Sequence, residues 1–540
     1  GGSETGGAGG SRRREELVAS IERAMTGNAE VWAIKRRVKE ELVRRATNNH
    51  GNGLKGMAAI ASEVEGILEE TGMGVRLKNV IYNLHRTAPK HALFPSPGLS
   101  ASETYVADKL DFVERAKLKW EKRIRQELDA MAAELDVPLQ RLHKDEPPKL
   151  PTDDQAIRFV YDDNDLLDVL SNIVNQNNQP MGIKNSIPDW GLIKVELEVK
   201  DLDQTREVFK ELDPSTGRHL GVDDEQRPQL LEERVKAIKR ALEIGYIPML
   251  RHLAKRGIPQ ALRPAVWKTI LNVSIEDQEQ VYIEQLQTSL RQWDLVTDEL
   301  FRLDVTITSN DDDYFVFEET LSETMALFSR DSWLVKNAAV RSQANEKFLD
   351  EQQRESAVFP PCGIVPFRGI VMYATPLCYQ YINTTELYYV FRSLYAQYCC
   401  RLHTVTSDTG DIMQLARQFE SLLQETNTLL YHHILSKGVH PLKLAFNWIV
   451  FVFAGYLDVD QVLTVWDRIL AWDSLLLVPV IAASIISFRE KRLMECNTLE
   501  EMQDVLSDGS KLKVILLLQL YLFGDTVARL QEAQGEGKGI

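Results

Sequence analysis

The chain has 540 residues, 44% of them apolar and 26% charged, enough for two or more domains with full-sized cores. Its formal net charge of -16 excludes a protein that works by neutralising a nucleic-acid backbone, so nucleic acid is not expected as a partner. Five cysteines, Cys362, Cys378, Cys399, Cys400 and Cys496, are odd in number and lack zinc spacing, the pattern of reduced thiols in the cytoplasm. The longest apolar run, 474–488, is interrupted by Pro479 and bounded by Asp473 and Arg489. It reads as a core helix and not as a membrane span.

The opening GGSETGGAGG carries no initiator Met and is set aside over residues 1–10 as a loose or non-native tail. Residues 11–144 read as a helical N-terminal region. Three short amphipathic pieces come first, RRREELVASIERAMTG, VWAIKRRVKEELVRRA and LKGMAAIASEVEGILEETG. The basic clusters 12–14 and 35–37 are either solvated helix faces or contacts for an acidic membrane surface. After HALFPSPGLS, a long helix is expected over 102–133, with Trp120 on its apolar side. DEPPKLPTDD, 145–154, is a linker, because consecutive prolines forbid helix.

Residues 155–243 mix types: NDLLDVLSNIV is helical, while LIKVELEVKDL alternates apolar and polar residues as a half-buried strand does. That small β element has no evident partner strand. A helix over 228–245 follows, and from 256 onward helices dominate, at 263–270, 277–303, 311–328, 386–401, 412–435, 474–494 and 511–523, before a polar tail at 526–540. The densest stretch is 431–473, YHHILSKGVHPLKLAFNWIVFVFAGYLDVDQVLTVWDRILAWD. Gly438 closes one helix and Pro441 opens the next, in which Leu442, Ala445, Phe446, Ile449, Val450 and Phe453 recur at helical spacing with Trp448 among them. A third helix, capped by Asp458, carries Val462, Val465, Trp466, Ile469 and Leu470 on one stripe.

These residues resemble the C-terminal half of a TBC domain, the all-helical module of Rab GTPase-activating proteins. Trp448, Phe453, Leu457, Trp466 and Asp467 fall in register with its motifs, and RGIPQALRPAVW upstream is similar to its opening motif, with Arg263 and Trp267 in place. The resemblance implies an all-α TBC domain over 244–525, and a buried acid, with Asp467 one candidate, paired with Arg263.

It also implies that two motifs, Ile-x-x-Asp-x-x-Arg and Tyr-x-Gln, supply an arginine to the transferring phosphoryl and orient the attacking water. Both are altered here. Aligning Ile307 puts Asn310 at the Asp position and Asp313 at the Arg position, and Arg368 stands where Gln is expected. Arg368 is then either a displaced finger or a surface or ion-paired arginine, since guanidinium suits phosphate but cannot accept a hydrogen bond. Asp311, Asp312 and Asp313 read as the acidic start of a helix or as a metal site, the former being the better fit to the exposed amides there. Arg341 and Arg354 lie on a polar segment between the motifs, over a possible binding face.

The functional expectation is a GTPase activator for a Rab-type GTPase, bound through Asp311, Asp312, Asp313, Tyr314 and Arg368. The alternative is a non-catalytic Rab-binding or scaffolding module. No cofactor and no metal are expected, and any membrane association is peripheral, through a partner on endomembranes.

Overall fold

Apolar residues recurring every three or four positions fold into helices along most of the described chain. The structure, a computed structural model, describes residues 21–23, 25–48, 57–87, 101–143, 157–174, 191–222, 228–340, 348–349, 355–356 and 359–536. The linker at 145–154 and the arginines Arg341 and Arg354 lie outside these residues. The fold is all-α, with small two-stranded pairings only among the described residues. By contact density the chain forms two units, one of residues 1–107 with 235–253 and one of 108–234 with 254–540.

In the first unit α1 (Ala29–Asn48), α2 (Met57–Glu70) and α3 (Met73–Thr87) share a core of Ile34, Val38 and Ile67, against which Leu42, Val64, Leu68 and Leu77 pack. Gly72, at φ 70°, turns the chain from α2 into α3. The Asn79 carboxamide donates to Gly245 O and accepts from Ile247 N, fixing the corner between two further helices.

The second unit holds most of the long helix α4 (Ala101–Glu134), whose Leu128, Met131, Ala132 and Leu135 pack against Leu295, Val296, Leu300 and Phe359. The sequence reading drew its main boundary at residue 244, whereas 108–234 pack here with the helices after 254. Strand β1 (Gln140–Leu142) pairs antiparallel with β2 (Trp293–Leu295), which breaks the helix expected over 277–303 into α7 (Asp277–Gln292) and α8 (Val296–Thr308). Between β1 and α7 in sequence come, among others, α5 (Asp163–Ser171) and α6 (Leu202–Val208). After α8 follow α9 (Glu318–Arg330), α10 (Thr384–Gln397), α11 (Ile412–Thr426), α12 (Thr428–Ser436), α13 (Pro441–Val450), α14 (Val459–Trp472), α15 (Leu477–Phe488) and α16 (Val514–Glu536).

Several boundaries differ from the pattern for local reasons. Asn427 splits the helix expected over 412–435, its side chain accepting from Leu430 N. The segment around LIKVELEVKDL is extended but joins no sheet: α11 holds it through side chains. Leu192 N donates to Glu420 Oε1 at 2.5 Å, while Gln418 accepts from Lys200 N and donates to Lys200 O. Ile193 and Val195 are buried, so the alternation marks the buried face while side chains replace a partner strand. The helix expected to include Phe453 stops at Val450, and Val452 and Phe453 turn at φ 51° and 65°, with Trp466 Nε1 donating to Val452 O. Asp458 precedes α14 without capping it, accepting instead from Lys511 N. The last helix kinks at Phe523 and continues to Glu536.

Arg263 and Asp467 meet in the core. Asp467, fully buried, accepts from Arg263 Nε at 3.0 and 3.1 Å, from Arg263 Nη2 at 3.0 Å and from Trp267 Nε1 at 2.7 Å. Burial pushes the carboxyl's pKa up, and the Arg263 charge opposes that rise. Trp267 and Trp466 stack beside the pair at 6.2 Å between centroids. Removing one partner strands the other charge, so Asp467→Ala is expected to cost about 3–5 kcal/mol in urea unfolding, with Arg263→Met/Asp467→Leu recovering more than half of that loss.

Candidate functional site

Helix α8 places Asp304 on its inward stripe beside Leu300, Phe301 and Val305. The carboxylate, 1% exposed, accepts from Gly369 N at 2.7 Å and from Val371 N at 2.9 Å. Burial pushes its pKa up to about 6, against the pull of those two amides and of the Arg368 charge. The loop it holds turns at Gly369, where φ is 93° and an added Cβ would lie 2.5 Å from Phe451 Cζ. Only glycine fits both the backbone angle and the gap.

This turn buries Phe367 and leaves Arg368 exposed. Phe367 stacks on Tyr161 at 5.1 Å, and the Arg368 amide donates to Tyr161 O at 3.2 Å. Among the described residues no hydrogen bond reaches the Arg368 guanidinium. Its backbone is therefore fixed from two sides while its head is open to a ligand.

Tyr161 precedes α5 and is itself held at the edge of Trp120, on α4, at 5.3 Å. The start of α5 carries a complete capping box, Asp162 accepting from Asp165 N and Asp165 accepting from Asp162 N. Asp163, between them, accepts from Asn447 Nδ2 of α13 at 3.2 Å. Burial raises its pKa, and the Arg368 charge is among the effects that lower it.

The acidic run Asp311–Asp313 does not start a helix. It forms the turn that leaves α8, with Asp311 Oδ1 accepting from Asp313 N at 2.9 Å, and α9 begins only at Glu318, whose first turn has its own acids Glu318 and Glu319. Burial raises the Asp313 carboxyl's pKa, followed in effect by Asp311, Asp458 and Asp312. Tyr314 is buried, while Phe315 and Val316 are 61% and 62% exposed. No cluster of three or more metal-ligating side chains occurs among the described residues.

No hydrogen bond among the described residues joins Arg368 to Asp311, Asp312, Asp313 or Tyr314. They are linked through α8 at one end and through Tyr379 at the other, whose hydroxyl donates to Asp313 O. Trp448 stacks on Tyr456 at 4.4 Å, and Trp466 and Asp467 lie in the core network of Arg263 and Trp267. The sequence reading singled out neither Asp304 nor Asp163. The available signals were a charge on an otherwise apolar helical stripe, and the Asp-x-x-Asp capping pattern.

A Rab-GTPase-TBC domain model matches residues 367–494, opening one residue before Arg368. Human TBC1 domain family member 19 is 36% identical over 492 residues, covering 86% of this chain and 91% of that protein. The chain belongs to the TBC family. Two solved structures are also similar: the Ypt/Rab-GAP domain of Gyp1p, 14% identical with TM-score 0.40 over 55% of this chain and 99% of that one, and the Chlamydomonas flagellar RabGAP TBC domain, 13% identical with TM-score 0.41 over 57% and 99%. In this TBC chain, α8 with Asp304 and α5 with Asp163 lie upstream of the residues matched by the family model.

Asp304→Asn keeps one acceptor and turns a donor toward the second amide. The unpaired group is expected to cost about 1–3 kcal/mol and to raise hydrogen exchange at Gly369 or Val371. The folded carboxyl holds its proton more tightly than the ordinary value of 3.8. Wild-type stability from this group therefore falls as pH rises from about 4 to about 6, a slope the variant lacks in pH-dependent unfolding.

Proposed function

We propose that this chain is a GTPase-activating protein for a Rab-type small GTPase, with Arg368 as the arginine that meets the transferring phosphoryl. The observation that carries this reading is the Arg368 loop: its backbone is pinned by Asp304 and Tyr161 while its guanidinium is exposed. An arginine supplied to that charge is worth about 10³–10⁵ in rate. Pre-fixing the loop lowers the ordering cost when the GTPase arrives. Asp311, Asp312, Asp313 and Tyr314 are the proposed docking face beside it, and the GTPase carries the nucleotide.

The spacing supports assigning the cation to Arg368. With Asp304 as the acid of the Ile-x-x-Asp-x-x-Arg pattern, Phe301 takes the first place and Ile307 the last. Ile307 is 39% exposed and cannot stabilise a phosphoryl charge. In the register anchored at Ile307, Asp313 takes that place and would repel the phosphate. Either way the motif supplies no arginine.

A second reading, a non-catalytic Rab-binding or scaffolding module, is favoured by the exposed Ile307, Phe315 and Val316 beside the acidic turn, which provide binding area without chemistry. In both readings the protein works in vesicle trafficking from the cytoplasm, reaching endomembranes through its partner. No helix among the described residues is long and apolar enough to cross a membrane.

Single-turnover GTP hydrolysis across a panel of Rab proteins, with the chain in excess, tests the choice. At least one member is expected to accelerate a hundredfold or more, about 2.7 kcal/mol off the barrier, and Arg368→Ala is expected to remove most of that gain with binding retained. Binding without acceleration in any member would favour the second reading.

A further inference from the structure

A cation alone does not complete GTP hydrolysis, because the attacking water must also be oriented by an acceptor. Arg368 has donors only. Two carboxylates stand on the segments that hold its backbone: Asp304, which accepts from Gly369 N, and Asp163, two residues after the Tyr161 carbonyl that accepts from the Arg368 amide. Asp304 is buried with both oxygens occupied by the amides of Gly369 and Val371. Asp163 differs on each count. It is half-buried, its Oδ2 accepts from Asn447, and among the described residues no other residue's hydrogen bond reaches Oδ1.

Nor is Asp163 needed as a helix cap, since Asp162 and Asp165 fill the capping box between them. It is also fixed relative to the arginine. Two residues earlier, Tyr161 O accepts from the Arg368 amide, and the Tyr161 ring lies between Phe367 and Trp120. The segment carrying Asp163 lies outside the residues matched by the family model.

We propose that Asp163 is a catalytic residue acting with Arg368, its carboxylate accepting a hydrogen bond from the attacking water while the guanidinium meets the γ-phosphoryl. This rests on the activating reading above. In the step, the water oxygen bonds to the γ-phosphorus as the bond to the β,γ-bridging oxygen breaks. The bridging oxygen keeps the electron pair and leaves on GDP, and the water's proton passes to the released phosphate. Asp163 orients the water and is unchanged at the end.

The test is single-turnover hydrolysis by the panel member that the wild-type chain accelerates, at saturating concentrations of Asp163→Ala, Asp163→Asn, Arg368→Ala and the Arg368→Ala/Asp163→Ala double variant. Asp163→Ala is expected to lower the saturated rate at least tenfold with the half-saturating concentration within twofold. Asp163→Asn, which keeps an oxygen acceptor, is expected to recover most of the rate. Groups that act as a unit are strongly non-additive, so adding Asp163→Ala to Arg368→Ala should change the rate less than twofold. Full activity in Asp163→Ala, equal losses in the Ala and Asn variants, or the same tenfold loss on the Arg368→Ala background would each overturn the proposal while leaving the activating reading intact. A wild-type chain that accelerates no member overturns both. If Asp163→Ala fails to fold, the Asn variant decides: a rate within threefold of wild type upholds the acceptor role, and a tenfold loss refutes it.

Discussion

Asp304 spends both carboxylate oxygens on the amides of Gly369 and Val371, and so ties the last turns of α8 to the loop that carries Arg368. A buried carboxylate costs free energy unless its lone pairs are filled, and two amides at 2.7 and 2.9 Å offset that cost. The rest of the site follows from this contact. The loop cannot slide along α8, Gly369 must take its left-handed turn against Phe451, Phe367 is driven inward, and Arg368 is left outside. The same contact tells the two networks of the core apart. Asp467 pairs with Arg263 and Trp267, which suits a structural brace, whereas Asp304 grips backbone, and among the described residues no hydrogen bond reaches the neighbouring Arg368 guanidinium.

Residues upstream of the matched domain take part in this framework. The extended segment after Gly191 is clasped by Glu420 and Gln418 of α11, which satisfies backbone groups that would otherwise be buried without partners. Tyr161 closes the outer side of the Arg368 loop, and α4 supports Tyr161 through Trp120. What reads in sequence as a separate N-terminal region therefore contributes directly to the second unit, and the site spans both sides of the boundary that the motifs alone imply.

The helical class, the TBC pattern and the Arg263 to Asp467 pair were legible because each depends on periodicity or on motifs with fixed spacing. The turn at Gly369 that sets out Arg368 was not read from the sequence and comes from the backbone alone. Two breaks were not legible either: β1 pairing overrode a continuous helical pattern at β2, and at Asn427 the side chain caps a new helix through Leu430 N. The extended segment showed its buried face through Ile193 and Val195 but not its partner, because side chains of a helix distant in sequence took the place of a strand. The role of Asp304 is not legible in the sequence, since a grip on a backbone amide 65 positions away leaves no local trace.

Association with a GTPase carrying GDP, measured with and without aluminium fluoride, tests most directly whether this loop is built to meet a transferring phosphoryl. The fluoride mimics the transition state, and a site complementary to that state binds it more tightly than the ground state. A Rab-type GTPase bound at least tenfold more tightly with fluoride, with the gain lost in Arg368→Ala, is the predicted result. Equal affinity with and without fluoride across the panel would contradict it.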